Sequence, residues 1–360
     1  MEIRPQPIAP GIDLVKLVDE GFVAFNGGRL REICWLLREV LRNPRTTVGW
    51  SLAGALTPLG YGISMFAPLM RAGFIDYVVS TGANLYHDMH YSLQYSFEVE
   101  YPGKDDLLLR QEERIRIYDV TFDAEALLQT DQYSYRLMKN PEFKGRMGTA
   151  ELHYKMGRYV LETERRHGLP HHGLMATAHE LGVPLYTPAP SDGTIGLNLG
   201  ALRLLDPDLE IDVVHDLNEF TAMAYDARQA GAESAVVILG GGVPKNYMLQ
   251  PGPQIQEVLK LKYEGHDYFV QITDARQDTG GLSGATPAEA FTWGKVTEKS
   301  LNRNIVCYVD TTIALPIITA YLLATCQPRP LKRLYDQRLE RLARFTEVYR
   351  TEAAKRAEQR

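Results

Sequence analysis

The sequence predicts an α/β protein with a doubly wound, mostly parallel sheet. Short apolar runs rich in β-branched residues recur along the 360-residue chain, and nearly all end in small residues. Such runs are typical of parallel strands buried on both faces. Segments with helical spacing of apolar residues separate them, so that strands and helices alternate. This alternation favours an open sheet wound in both directions.

Six runs carry the strand prediction, and three segments between them carry helical patterns. The strand runs are residues 46–54, 76–83, 184–189, 234–241, 268–275 and 304–312. The helical segments are residues 151–166, 219–230 and 254–262. Ligands bind at the carboxyl ends of strands in such sheets. The loops that follow the strands therefore define the candidate site.

The two ends of the chain are predicted to be helical. Between Leu14 and Leu41 the pattern indicates two helices joined by a tight turn at Asn26-Gly27-Gly28. After Pro330, apolar residues spaced by three or four predict an amphipathic charged helix. We therefore divide the chain into an N-terminal helical segment (1–45), a sheet domain (46–325) and a charged C-terminal helix (326–360). The polar stretch 101–150 is interpreted as an excursion from the sheet.

Composition limits the classes of function. The 39 basic and 45 acidic residues give a net charge of -6, which argues against a nucleic-acid-binding protein. Cys34, Cys307 and Cys326 are widely spaced, which argues against a disulfide framework or a cysteine-based zinc site. The N-terminus lacks an apolar signal core, and no segment has the length of apolar sequence that spans a membrane. These features predict a soluble cytoplasmic protein.

The run TPAEAFTWGKV, residues 286–296, carries the chemistry. Thr286 can cap a helix, Pro287 suits its first position, and Glu289 stands where a capping box has its acid. Glu289 and Trp293 share one helical face, and Gly294 lets the backbone turn so that Lys295 can approach them. A lysine held dry near an indole becomes a usable nucleophile toward an imine or carbonyl carbon. The alternative is a capped helix with a buried tryptophan and a surface lysine.

Other motifs remain ambiguous when taken singly. The GGGV motif, residues 240–243, permits close approach to a pyrophosphate or nicotinamide, but it does not match the dinucleotide fingerprint G-x-G-x-x-G. Asp192 and Asp310 follow predicted strands and could hold ribose hydroxyls or serve as turn residues. His87 could act as an acid, a base or a polar contact, or lie on the surface of a helix N-terminus.

The histidines of residues 167–179 do not favour a metal site. His167 and His171 are four residues apart, but Gly168 and Pro170 break the helix that would aim both imidazoles at one ion. No acidic third ligand follows at a familiar spacing. We therefore predict no metal.

Together, the motifs STGA, SDGTIG, GGGVPKN, PAEAFTWGK and YVDTT resemble the deoxyhypusine synthase family in order and spacing. The resemblance covers roughly residues 21–323, and its most specific part is WGK. It implies a Rossmann-like NAD-binding catalytic domain, NAD bound at a subunit interface, and a homotetramer. It also implies transfer of a 4-aminobutyl group: the donor amine is oxidised with NAD, a lysine captures the imine, and an acceptor amine receives it before reduction.

The resemblance also assigns roles to residues of this chain. Lys295 is the imine-forming nucleophile, and Glu289 and Trp293 are donor-amine contacts. Tyr86, His87 and Asn246 occupy the positions of other donor-site residues. The implied NAD contacts are Gly54, Thr57, Thr81, Gly82, Ala83, Asp192, Gly241, Asp274, Ala275, Asp310 and Thr311.

The donor site departs from the family pattern. Tyr86 and His87 replace two adjacent glutamates, Leu197 and Leu282 replace two aspartates, and Asn246 replaces a histidine. Without those carboxylates, a spermidine trication would bury unpaired ammonium groups at a cost of several kcal/mol. Restoring acids at Leu197 and Leu282 should accordingly raise the selectivity for longer polyamines.

These substitutions leave three interpretations of the function. The sequence favours an NAD-dependent aminobutyltransferase that acts on a small diamine such as putrescine, in the manner of homospermidine synthases. The second is a true deoxyhypusine synthase that modifies a lysine of a translation factor from spermidine. The third is a non-catalytic NAD-binding oligomer with a decayed site.

Overall fold

A computed structural model describes residue 3, residues 7–100, residue 103 and residues 105–358. The chain divides into two compact units. The first unit comprises Met1–Ala53, Leu69–Val79 and Leu217–Arg360, and the second comprises Gly54–Pro68 and Ser80–Asp216. The predicted division at residues 45 and 325 stays a prediction. Within the described residues, no helix is both long enough and apolar enough to cross a membrane.

The predicted alternation of strands and helices is present. The strands are β1 (Thr47–Leu52), β2 (Tyr77–Ser80), β3 (Glu98–Val99), β4 (Arg114–Ile117), β5 (Val120–Asp123), β6 (Gly145–Met147), β7 (Leu185–Tyr186), β8 (Leu209–Ile211), β9 (Ser234–Leu239), β10 (Tyr268–Thr273) and β11 (Asn304–Tyr308). The α-helices are α1 (Leu14–Lys16), α2 (Phe25–Arg42), α3 (Ala67–Arg71), α4 (Gly82–Ser92), α5 (Asp106–Gln111), α6 (Ala124–Met138), α7 (Thr149–Arg166), α8 (Leu174–Leu181), α9 (Thr194–Arg203), α10 (Val213–Ala227), α11 (Gly242–Leu249), α12 (Pro251–Pro253), α13 (Pro287–Thr292), α14 (Thr311–Thr325) and α15 (Leu334–Glu358). Wider π-helical turns are Leu17–Gly21, Gly62–Phe66 and Gln254–Val258. Short 3₁₀ turns are Thr57–Leu59, Pro141–Phe143, Gln229–Gly231, Gln277–Thr279, Leu282–Gly284 and Glu298–Asn302.

The first unit contains the parallel sheet. Five of the described strands lie in the order β11-β10-β9-β1-β2. β1 pairs with β9, β9 with β10 and β10 with β11, all in parallel register. Every residue of β1, β9 and β10 is buried, as is typical of parallel strands covered on both faces. The chain order reverses between β1 and β9, as in a doubly wound sheet, so the predicted α/β fold class is confirmed.

The predicted break between the N-terminal helices was wrong by a few residues. The break lies at residues 22–24, and Asn26, Gly27 and Gly28 form the first turn of α2. The Gly28 amide donates to the Ala24 carbonyl at 2.8 Å, so this stretch is already helical. Glycines weaken a helix interior, but at its first turn most amides lack intrahelical partners anyway. The residues that predicted a turn therefore form the start of a helix.

The second unit holds the polar stretch that the sequence left without a role. Its β4 and β5 form an antiparallel hairpin, and β3 pairs with the other side of β5. β6 and β8 pair in parallel. Helices α7 and α8 pack so closely that a Cβ atom at Gly157 would lie 2.6 Å from the Met175 carbonyl oxygen. The excursion therefore contains regular structure rather than a long loop.

The C-terminal segment is attached to the first unit by apolar and charged contacts. Phe345 of α15 is buried in a cluster with Ala222, Ile255 and Tyr263. Before α15, the side chains of Arg329 and Lys332 reach the buried Asp76 at 3.3 and 3.6 Å. The predicted amphipathic helix is confirmed, and it begins at Leu334, three residues after the start of the apolar pattern.

Candidate active site

Helix α13 and the turn after it position Lys295. The Thr286 hydroxyl accepts a hydrogen bond from the Glu289 amide at 3.1 Å, and Pro287 is the first helical residue, as predicted. Gly294 has a φ of 64°, a left-handed conformation that glycine adopts without strain. The Lys295 amide then bonds the Ala290 carbonyl at 3.0 Å. Local sequence thus ends the helix and turns the chain at the lysine.

A neighbouring segment holds this turn in place. The Gln256 side-chain amide donates to the Gly294 carbonyl at 2.7 Å. A Cβ atom at Gly252 would lie 2.7 Å from the same carbonyl oxygen, so only glycine permits this approach. On the other side, the His266 amide donates to the Lys295 carbonyl at 3.1 Å. The backbone of Lys295 is therefore fixed by tertiary contacts as well as by its own turn.

Lys295 lines a cavity of about 650 Å³ in the first unit. Glu289, Trp293 and Asn246 line it too, so four residues that the sequence analysis singled out meet there. Trp293 is 54% exposed, and Lys295 is about half-buried. The alternative of a buried tryptophan and a surface lysine is therefore wrong. The remaining lining residues are Leu217, Lys245, Leu249, Gln250, Pro253, Gln254, Glu257, Val258, Leu282, Ala285, Thr286 and Ala290.

The cavity changes the protonation of Lys295. Burial lowers the pKa of its ammonium group, while the carboxylates of Glu289 and Glu257 raise it. The Nζ atom donates to Asn246 Oδ1 at 3.2 Å and lies 5.7 Å from the centre of a Trp293 ring. A lowered pKa increases the fraction of neutral amine at a given pH, and only the neutral amine is a nucleophile.

Lys245 and Glu257 are cavity residues that sequence reasoning missed. Lys245 is buried, and its ammonium donates to Gln271 Oε1 at 3.0 Å and to the Ala285 carbonyl at 2.7 Å. The pKa of Lys245 is lowered to about 8, mainly by burial and in part by the charge of Lys295, while the Glu289 carboxylate raises it. A lysine after the GGGV motif was a visible signal, whereas nothing in the local pattern distinguishes Glu257 from a surface glutamate.

The predicted cofactor residues of the first unit follow three neighbouring strands. Gly241, Asp274 and Asp310 follow β9, β10 and β11, and Ala275 and Thr311 lie beside the two aspartates. Asp274 and Asp310 are exposed, and Asp310 caps α14 through the Thr312 amide at 2.7 Å. A Cβ atom at Gly241 would lie 2.4 Å from Ser283 Cα. Gln271 donates to the carbonyls of both Gly240 and Ser283 at 2.8 Å, which ties the two loops together.

The other predicted cofactor residues come together in the second unit. Thr81 caps α4, whose first two residues are Gly82 and Ala83. The Thr81 hydroxyl donates to the Gly54 carbonyl at 2.6 Å. The Thr57 hydroxyl is buried and donates to the Asn84 carbonyl at 2.7 Å. Asn84 also accepts from the Leu56 amide at 2.7 Å, so this residue, which sequence reasoning missed, organises the group. Asp192 is exposed, and its carbonyl oxygen would lie 3.8 Å from a Cβ atom at Gly82.

Tyr86, His87 and Leu197, three positions that depart from the family pattern, also belong to the second unit. Tyr86 is 1% exposed, and its hydroxyl donates to Asp131 Oδ1 at 2.8 Å and to the Leu127 carbonyl at 3.0 Å. Burial lowers the pKa of His87 to about 4, so its imidazole is neutral near pH 7. Leu197 is 67% exposed. Substrate contact by Tyr86 and His87 stays a prediction, and the burial of Tyr86 leaves almost none of its side chain open to a ligand.

Three of the four histidines in residues 167–179 have separate partners. His167 Nδ1 lies 3.1 Å from the Ser92 carbonyl, and His179 Nδ1 lies 2.9 Å from the Tyr154 carbonyl. His172 Nδ1 lies 2.9 Å from the Glu164 carboxylate. The Nδ1 atoms of these three histidines thus contact three different groups.

Comparison with known proteins agrees with the motifs. The family model described as deoxyhypusine synthase matches residues 14–322. A deoxyhypusine synthase-like protein of Thermosynechococcus vestitus is 55% identical over 96% of this chain and 87% of its own length. A protein of Methanosarcina mazei named probable deoxyhypusine synthase 1 is 35% identical over 88% of this chain and 93% of its own length. A crystal structure described as a deoxyhypusine synthase from Entamoeba histolytica covers 88% of this chain and 96% of its own, with a TM-score of 0.57 at 14% identity, which shows a shared fold. The chain belongs to the deoxyhypusine synthase family.

Proposed function

We propose that this protein is an NAD-dependent aminobutyltransferase of polyamine metabolism that forms an imine on Lys295 and acts on a small diamine such as putrescine. One observation carries the proposal. Lys295 is half-buried, its pKa is lowered, and it lies in a cavity between two carboxylates, a tryptophan and an apolar wall. That arrangement suits a neutral lysine that attacks the carbon of an aliphatic imine.

The bonds, the leaving group and the charge of the capture step can all be accounted for. The neutral Lys295 amine attacks the carbon of the protonated imine made by oxidation of the diamine. The bond from that carbon to the original nitrogen breaks, and ammonia leaves when putrescine is the donor. The positive charge stays on the new imine, where the Glu289 carboxylate favours it.

The residues at the strand ends fit NAD. The exposed carboxylates of Asp274 and Asp310 suit ribose hydroxyls. Gly241 lets the Ser283 loop pack against the strand end, because a Cβ atom there would lie 2.4 Å from Ser283 Cα. In the second unit, Gly54, Thr81 and Gly82 form a backbone-lined group. When bound, NAD supplies the two-electron oxidation of the donor amine and the matching reduction of the transferred imine.

The charge of the cavity favours a diamine over a trication. Among the described residues that line it, Glu257 and Glu289 carry carboxylates, while Lys245 contributes a cation of its own. Leu282 and Asn246 add no charge. A longer polyamine would therefore place an ammonium group beside apolar atoms without a partner, which is costly.

A true deoxyhypusine synthase is the second candidate. The relative from Methanosarcina mazei, whose name states that activity, supports it at 35% identity. In that case spermidine would be the donor and a lysine of a translation factor the acceptor. The products separate the two candidates, because spermidine releases 1,3-diaminopropane and putrescine releases ammonia.

A substrate panel with mass spectrometry of the products tests the proposal. We expect protein incubated with NAD and putrescine, then treated with borohydride, to carry a reduced adduct on the peptide that contains Lys295. Putrescine should turn over faster than spermidine, homospermidine or agmatine, with release of ammonia. If spermidine with the translation factor were faster than every diamine, the substrate assignment would be wrong. If no amine left an adduct, the protein would be the non-catalytic NAD-binding oligomer.

Restoring a carboxylate in the cavity tests the charge argument. Leu282 lines the cavity and is 48% exposed, so Leu282→Asp can add an anion without burying it fully. We expect the ratio of kcat/KM for spermidine to that for putrescine to rise by about 10-fold, since one charged contact contributes roughly 1.4 kcal/mol or more. Leu301→Asp, at an exposed position outside the cavity, is the control. An unchanged ratio would contradict the charge argument.

We further propose, from family membership, that the protein self-associates as a homotetramer and works in the cytoplasm on free amines. Light scattering at micromolar concentration measures the first property. A translation factor remains a possible acceptor only under the second candidate.

A further inference from the structure

The two carboxylates of the cavity stand on different elements. Glu289 lies in the first turn of α13, and Glu257 lies in the π-helical turn Gln254–Val258 that follows α12. Both raise the pKa of Lys295, and Glu289 also raises that of Lys245. Glu257 and Glu289 are both exposed residues. Each is therefore available to a cation that enters from outside.

The turn that carries Glu257 is rigidly joined to the Lys295 turn. Gln256 bonds the Gly294 carbonyl at 2.7 Å, and Ile255 is completely buried. Glu257 itself is exposed, and its neighbour Val258 is 71% exposed. The backbone at Glu257 is thus fixed relative to the Lys295 turn, and the exposed side chain of Glu257 lines the cavity.

The charged side chains that line the cavity do not balance when Lys295 is neutral. Lys245, with a pKa of about 8, is mainly protonated at pH 7, and Glu289 is the carboxylate that acts on it. Lys295 is neutral when it reacts. Before a donor binds, two carboxylates and one ammonium group therefore leave one net negative charge, which favours entry of a cationic amine. A diamine that has joined Lys295 through one end then keeps an ammonium group at the other end.

We propose that Glu257 binds the distal ammonium group of the donor diamine and so selects for linear amines with a charge at both ends. This inference rests on the proposed function. The apolar side chains of Leu249 and Val258, which line the same cavity, contact the methylene chain. Glu257 is a specificity-determining residue in this view, because it recognises the end of the substrate that does not react.

Glu257→Gln, in the full-length protein, tests the inference against putrescine and butylamine, which lacks the distal charge. We expect KM for putrescine to rise by about 10-fold or more with kcat within about 3-fold, and the preference for putrescine over butylamine to fall by the same factor. Glu298→Gln, at an exposed carboxylate outside the cavity, should match the unmodified protein. A KM for putrescine within about 2-fold of the unmodified protein would overturn the inference.

The pH dependence of adduct formation supplies an independent readout. The charged groups facing Lys295 are Glu289 on α13, Glu257 on its turn, and Lys245 on α11. Since Glu257 raises the pKa of Lys295, Glu257→Gln should move the midpoint of trapping against pH to a lower value. A purely structural effect of the substitution would slow trapping without that shift. An unmoved midpoint would count against the role of Glu257.

Calorimetric titration with putrescine in the presence of NAD separates failure of this inference from failure of the proposed function. If Lys295 were trapped in the unmodified protein while Glu257→Gln bound putrescine equally well, only the role of Glu257 would be wrong. If putrescine bound about 10-fold more weakly to Glu257→Gln but no adduct formed in either protein, Glu257 would be an amine-binding residue of a non-catalytic protein. If putrescine did not bind at millimolar concentration, both proposals would be wrong.

Discussion

Replacement of Lys295 by alanine is expected to abolish the borohydride-trapped adduct and to lower turnover on the order of 10³-fold or more, because the covalent route loses its nucleophile. Lys295→Arg should be nearly as inactive. Its guanidinium keeps the charge and much of the length, but it stays protonated and cannot attack an imine carbon. Steady-state release of ammonia from putrescine and mass spectrometry of the trapped protein measure both effects.

A nearby lysine provides the control. Lys299 is exposed, four residues further along the chain, and outside the cavity. Lys299→Ala should trap and turn over like the unmodified protein, and thermal unfolding should show that every variant is folded. Turnover by Lys295→Ala within about 10-fold of the unmodified protein would mean that the imine forms elsewhere. The adduct would then be sought by peptide mapping on Lys245, the other cavity lysine.

Asp76→Ala is expected to produce the largest loss of stability, about 3–5 kcal/mol in the free energy of unfolding. The Asp76 carboxylate accepts a hydrogen bond from the Val48 amide at 2.8 Å. It also lies 3.3 Å from Arg329 and 3.6 Å from Lys332, and Asp76 and Arg329 are almost fully buried. Removing the anion leaves two cations near the start of β1 without their counter-charge. Urea denaturation followed by circular dichroism measures the change.

A surface ion pair of the same residue types is the matched control. Asp336 lies 2.6 Å from Arg333, and both side chains are more than 40% exposed. Asp336→Ala should cost less than about 1 kcal/mol, because solvent screens exposed pairs. If both substitutions cost the same, the buried charges would contribute no more than the exposed ones, and the C-terminal segment would be attached mainly by the apolar contacts of α15.

Local sequence was sufficient to predict the strands of the parallel sheet and the start of α13. Parallel strands buried on both faces need continuous apolar runs, so β1, β9 and β10 stand out without any tertiary information. Thr286 and Pro287 act on amides within one turn of their own positions, and Gly294 acts through its own φ angle. These are short-range effects, and the residues that cause them are adjacent in the chain.

The local sequence pattern could not predict contacts between residues that are far apart in the chain. Glu257 and Lys295 are far apart in sequence, and their proximity depends on the bond from Gln256 to Gly294. Lys245 follows a visible motif, but the motif does not predict its burial, because its partner Gln271 lies on β10 rather than on α11. At the N-terminus, two glycines signalled a turn, but the structure uses them in the first turn of α2. Glycines indicate that the backbone can adopt many conformations, but they do not show which one the folded protein contains.

The sequence by itself determined the α/β class, the family, the start of α13 and the turn that presents Lys295, because apolar periodicity, caps and glycine conformations act within a few residues. The tertiary structure alone decided what surrounds that lysine. It buried Lys245 in the same cavity and brought Glu257 to it. In the second unit, it separately buried Tyr86 against Asp131. Charge and burial depend on which distant segments meet, and that is a property of the folded chain.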